Sequence, residues 1–362
     1  MKAAPPPEEE PDRVPGAPHP RETAELYGQA AAADAFLAAR AGGRMHHAWL
    51  LSGPRGVGKA TLAWRIARAV LAGSPTLHMP PDHPVFRRVA ALSEPRLALV
   101  RRGVNPATGR LRGEITVDEV RRLRDFLQMS AAEGGWRVVI VDAAEEMNPS
   151  AANALLKLLE EPPARVLFLL VSHRPGQLLA TIRSRCRMLR LGPLGPEDLA
   201  RALAAAGGGP AGPGLAALAG GSVGEALQLA RDEGPALYGE ILALIDRLPR
   251  IPRPALVAFA DSLAGREADA RAALARRLVP LALARIARAG VAGAEPDAPP
   301  GEAALAARLC PDGAAARIWA EAALSLSGRL DRAHAVNLDP AQAMLDCFLD
   351  IEETARYLLP DA

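Results

Sequence analysis

The chain has 362 residues, 49% of them hydrophobic, which is enough to bury two or three cores and predicts a multidomain protein. Its 43 basic and 41 acidic side chains leave a formal charge of +2, so a free-standing module that binds nucleic acid or lipid is disfavoured. The sequence contains no uncharged apolar run of about 18 residues, so no membrane span is predicted. The three cysteines lie far apart, which predicts neither a zinc site nor a disulfide framework and fits a reducing cytoplasm.

The N-terminal segment is rich in proline and glutamate and carries little apolar surface. Such a segment cannot offset the entropy that is lost on ordering, so residues 1–22 are predicted to form a disordered tail. The segment also lacks the apolar core of a signal peptide. Folded structure is expected to begin at residue 23.

Five short β-like runs follow, separated by segments with helical periodicity. The predicted strands are 48–52, 97–101, 137–141, 166–171 and 187–191. Strands that alternate with helices indicate a parallel sheet with helices on both faces. The sequence therefore predicts a five-stranded α/β core over residues 23–192.

Two of the intervening helices have clear start signals. Thr116 and Glu119 form a capping-box pattern ahead of an apolar stripe. Asn148 and Pro149 precede a second apolar stripe, as is typical of an N-cap followed by proline in the first turn. Lys157 is expected on the exposed face of this second helix, and the alternative is that it faces DNA or a neighbouring subunit.

No convincing strand follows residue 192. Helical patterns rich in alanine, leucine and arginine continue to the C-terminus, and Gly- and Pro-rich stretches interrupt them at 206–214 and 291–301. We therefore predict a small helical unit over residues 193–233 and an all-α domain over residues 234–362.

The clearest local motif is Gly53-Pro-Arg-Gly-Val-Gly-Lys59, which follows an apolar strand and opens a helix. Gly53, Gly56 and Gly58 let backbone N–H groups turn towards phosphate, the helix N-terminus adds positive potential, and Lys59 neutralises the β and γ phosphates. This lysine is one of only three in a chain with 40 arginines. The motif predicts a nucleotide site of the phosphate-loop type, although similar turns occur in α/β proteins that bind no phosphate.

The loop lacks one group that ATP with magnesium requires. The motif places Ser or Thr directly after the lysine to bind Mg²⁺, and here Ala60 takes that position. Thr61 is a poor substitute because the next helical residue points about 100° away. ATP binding therefore stays open, and Mg²⁺ is expected only together with a nucleotide.

A phosphate-loop ATPase also needs an acidic residue at the end of a neighbouring strand. Asp142 follows the strand at 137–141, where it can hold magnesium or its water, or simply cap the turn. Ala143 stands where additional-strand ATPases usually place a glutamate that polarises the attacking water, and Glu145 lies on the following turn. Ser172 ends the fourth predicted strand and can act as a polar sensor or as a turn cap.

Two segments make the family recognisable. The runs Ser-Ala-Ala-Asn-Ala-Leu-Leu-Lys-Leu-Leu-Glu-Glu-Pro-Pro at 150–163 and Leu-Leu-Ala-Thr-Ile-Arg-Ser-Arg-Cys at 178–186 resemble clamp-loader ATPases of the AAA+ class. The resemblance is closest to delta-prime subunits of bacterial DNA polymerase III. It implies an AAA+ phosphate-loop domain, a helical lid over 193–233 and an all-α collar for oligomerisation over 234–362.

The resemblance also implies partners and a role. It implies a cytoplasmic hetero-pentamer with gamma/tau and delta subunits that opens a sliding clamp and closes it around primed DNA. In that family the motif at 184–186 carries an arginine, here Arg185, that reaches into the ATP site of the neighbouring subunit. Gly224 stands where active loader subunits carry a phosphate-sensing arginine. Many relatives hold zinc through four cysteines, whereas residues 73–112 contain none, so no zinc is expected.

Two functional hypotheses follow. The magnesium hydroxyl, the water-polarising carboxylate and the lid arginine are all missing, so we expect a subunit that does not hydrolyse ATP but completes its neighbour's site through Arg185. The alternative is an active AAA+ ATPase, either the motor subunit of the loader or a branch-migration helicase, in which Thr61 and Glu145 replace the missing groups. Polymerase activity would belong to the assembled holoenzyme.

Overall fold

The computed structural model describes residues 10–43, 45–105, 107–128, 135–209, 212–265, 268–295 and 298–359. The chain forms two compact units. The first comprises Met1–Gly208 and Gly220–Leu227, and the second comprises Gly209–Ala219 and Gln228–Ala362. The domain boundaries at residues 192 and 233 stay predictions.

The first unit alternates strands with helices. Its elements are α1 (Ala30–Ala41), β1 (Ala48–Ser52), α2 (Lys59–Ala72), α3 (Pro84–Ala90), β2 (Leu97–Val100), α4 (Val117–Gln128), β3 (Arg137–Val141), α5 (Pro149–Glu160), β4 (Val166–Ser172), α6 (Ala180–Ser184), β5 (Arg187–Arg190) and α7 (Pro196–Ala205). All five predicted strands are confirmed, and their ends differ from the prediction by one residue at most.

The strands form one parallel sheet in the order β2-β3-β4-β1-β5. Every residue of β1 and β4 is buried, as expected for inner strands that are covered on both faces. Because the strands are parallel, the carboxyl ends of β1, β3 and β4 meet at one edge of the sheet. That edge carries the phosphate loop, Asp142 and Ser172.

Helices cover both faces of the sheet. On one face, alternate residues of β1, β3 and β4 share a core with α4, α5 and α6. On the other face α2 packs against the same three strands, and Phe36 of α1 meets the Trp49 ring edge-on at a centroid distance of 5.2 Å. The predicted α/β fold is therefore confirmed.

The start signals in the sequence lie at the observed helix ends. The Asn148 side chain accepts a hydrogen bond from the Ala151 N–H at 2.9 Å and caps α5. Ahead of α4, the Thr116 N–H donates to the Glu119 carboxylate at 2.9 Å, which is one half of a capping box. Lys157 lies on the exposed face of α5.

Residues 10–22 differ from the disordered tail that their composition predicts. They form turns that pack on the first unit, with Glu10 and Arg21 buried. Glu10 forms ion pairs with Arg21 at 2.8 Å and with Arg101 at 3.0 Å. Composition is a poor guide here because distant charges hold the segment, not its own apolar surface. The rest of the predicted tail, residues 1–9, lies outside the described residues.

The second unit is helical. Helix α9 (Val223–Arg231) begins in the first unit and ends in the second. The other helices of the second unit are α8 (Pro213–Ala219), α10 (Gly234–Ile245), α11 (Arg253–Asp261), α12 (Asp269–Ala292), α13 (Glu302–Leu309), α14 (Gly313–Ala335) and α15 (Pro340–Leu358). Among the helices of the described ranges, none has both the length and the apolar character needed to cross a membrane.

A buried polar cluster joins three helices of this second unit. Arg285 Nε of α12 donates to both carboxylate oxygens of Glu302 at 3.0 Å, and the Tyr238 hydroxyl donates to the same carboxylate at 2.8 Å. Each charged or polar group therefore has a partner inside the core, as buried charges require.

Candidate nucleotide site

The phosphate loop connects the carboxyl end of β1 to the N-terminus of α2. Gly53, Gly56 and Gly58 have φ angles of 152°, 77° and 98°, in the region that favours glycine. At Gly56 a β-carbon would also lie only 2.1 Å from Ser222 Oγ. Glycine is therefore required there both by the turn and by the close approach of Ser222.

Lys59 is the first residue of α2 and is only 3% exposed. Its ammonium group donates to the carbonyl oxygen of Pro54, within the loop itself. Burial lowers the pKa of Lys59 to about 8, although the nearby Asp142 and Glu145 carboxylates oppose this shift. A nucleotide phosphate at this loop would have to compete with the Pro54 carbonyl for the lysine.

Asp142 lies at the same edge, directly after β3, and its N–H donates to the Val100 carbonyl at 2.9 Å. Burial raises the pKa of Asp142 to about 7, and the carboxylate of Asp12 adds to the rise. A cation beside the carboxylate would favour its charged form. The electrostatics of Asp142 therefore fit the magnesium position of a nucleotide site.

Several polar atoms near the loop are buried without a protein partner. Among the residues that the structure describes, they include Ser172 Oγ, Glu145 Oε2 and His173 Nδ1. The other Glu145 oxygen accepts from the His173 N–H at 2.8 Å, and burial followed by the charge of Lys59 lowers the pKa of His173 to about 4. Buried polar atoms of this kind normally bind water or a ligand, which also fits a polar ligand such as a nucleotide.

Two positions of the site lack the functional groups that ATP hydrolysis needs. Ala60 offers no hydroxyl for magnesium, and Ala143 offers no carboxylate for the attacking water. Ala143 also adopts a left-handed conformation, with φ of 56°. Glu145 lies on the following turn, where its Oε1 atom accepts from the His173 N–H and its Oε2 atom has no protein partner. The residues present fit the binding of a nucleotide better than its hydrolysis.

Gly224 lies directly against the phosphate loop. A β-carbon on Gly224 would be 3.5 Å from Gly56 Cα and 3.4 Å from Val14 Cγ2. The Val223 N–H donates to the Gly56 carbonyl at 3.1 Å and holds the two segments together. Position 224 therefore lies in van der Waals contact with both the phosphate loop and Val14.

Arg185 follows α6 and lies outside this cluster. Its guanidinium forms a 2.8 Å ion pair with Glu160 and donates to the Thr181 carbonyl at 3.0 Å. The side chain is 36% exposed. Burial raises the pKa of the adjacent Cys186 thiol to about 12, so this cysteine stays protonated and is a poor nucleophile.

Lys59, Asp142 and Ser172 were predicted from separate motifs, and the parallel sheet brings them to one edge. Two further residues at this edge, His173 and Asp12, were not predicted from the sequence. His173 could have been noted as a titratable residue directly after a buried strand. Asp12 had no local signal, because its position depends on contacts with residues far along the chain.

Comparisons with known proteins agree on one part of the chain. Residues 28–195 match the family model described as DNA polymerase III, delta subunit. The DNA polymerase III subunit delta-prime of Pseudomonas aeruginosa is 41% identical over 153 residues, which cover 40% of this chain and 43% of that protein. The delta-prime subunit of Escherichia coli is 36% identical over 170 residues, which cover 46% and 48%.

A subunit with another name also matches. The DNA polymerase III subunit tau of Salmonella typhimurium is 33% identical over 181 residues, which cover 50% of this chain and 27% of that protein. The chain thus aligns with less than half of the length of each of these three relatives. The similarity concerns the sheet domain and its candidate nucleotide site.

Proposed function

We propose, on the premise that residues 28–195 are delta-prime-like, that the chain is a clamp-loader subunit of a DNA polymerase III holoenzyme. It does not hydrolyse ATP, and Arg185 completes the ATP site of a neighbouring subunit. Its partners are gamma/tau and delta subunits in a hetero-pentamer that places a sliding clamp on primed DNA in the cytoplasm. The names of the aligned relatives support the subunit class.

One observation carries the non-hydrolysing role: the phosphate-loop framework is intact, whereas three groups for hydrolysis are missing from it. Ala60, Ala143 and Gly224 occupy the positions of the metal hydroxyl, the water-polarising carboxylate and the lid arginine. A single loss can be compensated by a neighbouring group. Three losses at one site leave the attacking water without an activating carboxylate and the developing charge without the lid arginine.

ATP with Mg²⁺, when bound, would supply the phosphoryl group and the cation of the site. In this chain Lys59 would hold the phosphates and Asp142 the cation or its water. Ser172, with its partnerless hydroxyl, would contact a terminal phosphate. These residues bind and orient a nucleotide, and none of them activates water.

The contacts of Arg185 support an action in trans. An exposed ion pair such as Arg185–Glu160 contributes about 0–1 kcal/mol. An arginine finger on a γ-phosphate contributes a factor of roughly 10³–10⁵ in rate, or about 4–7 kcal/mol. Releasing Arg185 from Glu160 therefore costs little compared with the stabilisation that an arginine finger gives to the transition state of a neighbouring ATP site.

The proposal is tested by steady-state ATP hydrolysis with the purified chain and by clamp loading with a reconstituted gamma/tau–delta complex. We expect no turnover by the chain alone and a loss of clamp loading when the chain is omitted from the complex. Turnover by the isolated chain that Lys59→Ala abolishes would instead support the active ATPase. Full clamp loading without the chain would contradict the loader role.

A further inference from the structure

The segment of residues 10–18, here called the N-terminal strap, is fastened by buried charges. Glu10 pairs with Arg21 at 2.8 Å and with Arg101 at 3.0 Å, and the Asp12 carboxylate also pairs with Arg101. His19 Nε2 lies 3.1 Å from the other Asp12 oxygen. The side chains of Glu10 and Asp12 are 4% and 6% exposed, so water screens these pairs little. Charge-assisted contacts of this kind are stronger than neutral ones.

The anchor places the strap at the carboxyl edge of the sheet. Arg101 directly follows β2, and Asp12 lies close enough to Asp142 for the two carboxylates to repel each other. Beyond the anchor, Val14 reaches the other side of the site, where its Cγ2 atom lies 3.4 Å from the position of a β-carbon on Gly224. The strap therefore runs from the Asp142 side of the candidate nucleotide site to the phosphate loop and Gly224.

The loop side of the site is correspondingly closed. Gly56 and Gly224 meet through their backbones, the Val223 N–H donates to the Gly56 carbonyl, and Lys59 donates to Pro54. On the opposite side the strap carries Asp12, whose carboxylate pairs with Arg101 and lies 3.1 Å from His19 Nε2, and its charge adds to the raised pKa of Asp142. The strap thus packs against both the loop side and the Asp142 side of the candidate nucleotide site.

We propose that the N-terminal strap closes the nucleotide site of this chain, so that ATP with Mg²⁺ binds only after the strap moves away. This inference rests on the proposed function only for the class of ligand. The strap is a feature of this chain outside the similarity to known proteins, because residues 10–18 precede the matched region at 28–195. It does not involve Arg185.

The test compares the affinity for ATP with Mg²⁺ in the full chain by titration calorimetry. Replacing residues 10–18 with a Gly-Ser segment of equal length is expected to lower the Kd at least tenfold. Glu25→Gln serves as the matched control, because Glu25 is 52% exposed, lies outside the strap and pairs with Arg65. The control is expected to bind as the wild type does. An unchanged Kd in a strap replacement that retains its helical circular dichroism would overturn the inference.

If the strap replacement does not fold, a disulfide variant tests whether the strap closes the nucleotide site. Val14→Cys combined with Gly224→Cys places a sulfur near the position of Val14 Cγ2, which lies 3.4 Å from the β-carbon position at residue 224, so that oxidation can lock the strap to the lid side of the site. We expect at least tenfold weaker ATP binding in the oxidised than in the reduced form. Equal affinities in the two forms would overturn the inference.

The same samples separate this inference from the proposed function. Tighter ATP binding without hydrolysis by the strap replacement supports both. Hydrolysis by that variant would contradict the non-hydrolysing role and leave the closure by the strap intact. ATP binding that is unaffected by the strap, together with a normal clamp-loading complex, would overturn the closure alone.

Discussion

At the scale of single residues, the Asp142 carboxylate has the clearest pH-dependent behaviour. Burial raises its pKa to about 7, well above the usual range of an aspartate, so near pH 5 to 6 the folded protein keeps a proton that the unfolded chain releases. The stability that this proton contributes is present below about pH 4 and is lost as the pH rises through about 7. The charged carboxylate is therefore a destabilising group above neutral pH.

Asp142→Asn removes that charge while it keeps the shape of the side chain. We expect the difference in melting temperature between variant and wild type to be more favourable at pH 8 than at pH 5. Between pH 5 and pH 8 the corresponding difference in unfolding free energy changes by at most about 3 kcal/mol, because about two pH units separate pH 5 from the pKa of Asp142. Differential scanning calorimetry at the two pH values measures it. An equal effect at both pH values would show that the carboxylate is not protonated in the folded protein at pH 5.

Residues of the site differ in how far the sequence predicts them. Ala60 and Ala143 have fixed positions within local motifs, so their missing functional groups can be recognised without a structure. Asp12 and Arg101 meet across 89 positions of the chain, and no local pattern encodes that contact. The charge of Asp12 near Asp142 is thus a property of the fold alone.

At the scale of secondary structure, the N-cap of α5 tests whether local signals stabilise the helix. Asn148→Ala removes the acceptor of the Ala151 N–H and should lower the free energy of unfolding by about 0.5–2 kcal/mol. Asn148→Ser keeps a capping oxygen but loses the contact of the amide with Glu114 at 3.1 Å. Urea unfolding should show the serine variant close to the wild type. A loss in serine as large as in alanine would assign the effect to the Glu114 contact.

The elements show why some structure is predictable and some is not. β1 and β4 are buried over their full length, and such strands appear in the sequence as short apolar runs. The segment 10–22 has no apolar run, and its order depends on pairs with Arg101. Prediction from composition therefore succeeds for the sheet and fails for the strap.

At the scale of the whole molecule, the helical second unit depends on the buried cluster around Arg285. Glu302→Ala leaves Arg285, which is 4% exposed, without its main partner, and should cost about 3–5 kcal/mol. Glu295 contacts the same arginine at 3.0 Å but is 44% exposed, so Glu295→Ala should cost less than about 1 kcal/mol. Unfolding in urea followed by circular dichroism compares the two. Equal losses would contradict a stabilising role for the buried pair.

The missing hydrolytic groups and Arg185 depend on different parts of the molecule. The loss of hydrolytic groups is visible at three positions of the sequence, and the structure adds the close packing of Gly224 on the phosphate loop. The role of Arg185 depends on a subunit interface, which a single chain does not contain. In this chain the Arg185 side chain is 36% exposed and forms an ion pair with Glu160.

The central claim is therefore tested most directly in the assembled loader, by DNA-stimulated ATP hydrolysis with Arg185→Ala in place of the wild-type chain. The matched control is Arg190→Ala, because Arg190 is an exposed arginine of β5 that contacts Met188. We predict a decrease in hydrolysis rate of at least tenfold for Arg185→Ala, with normal assembly by size-exclusion chromatography, and an unchanged rate for Arg190→Ala. A loader that assembles with Arg185→Ala and hydrolyses ATP at the wild-type rate would contradict the account.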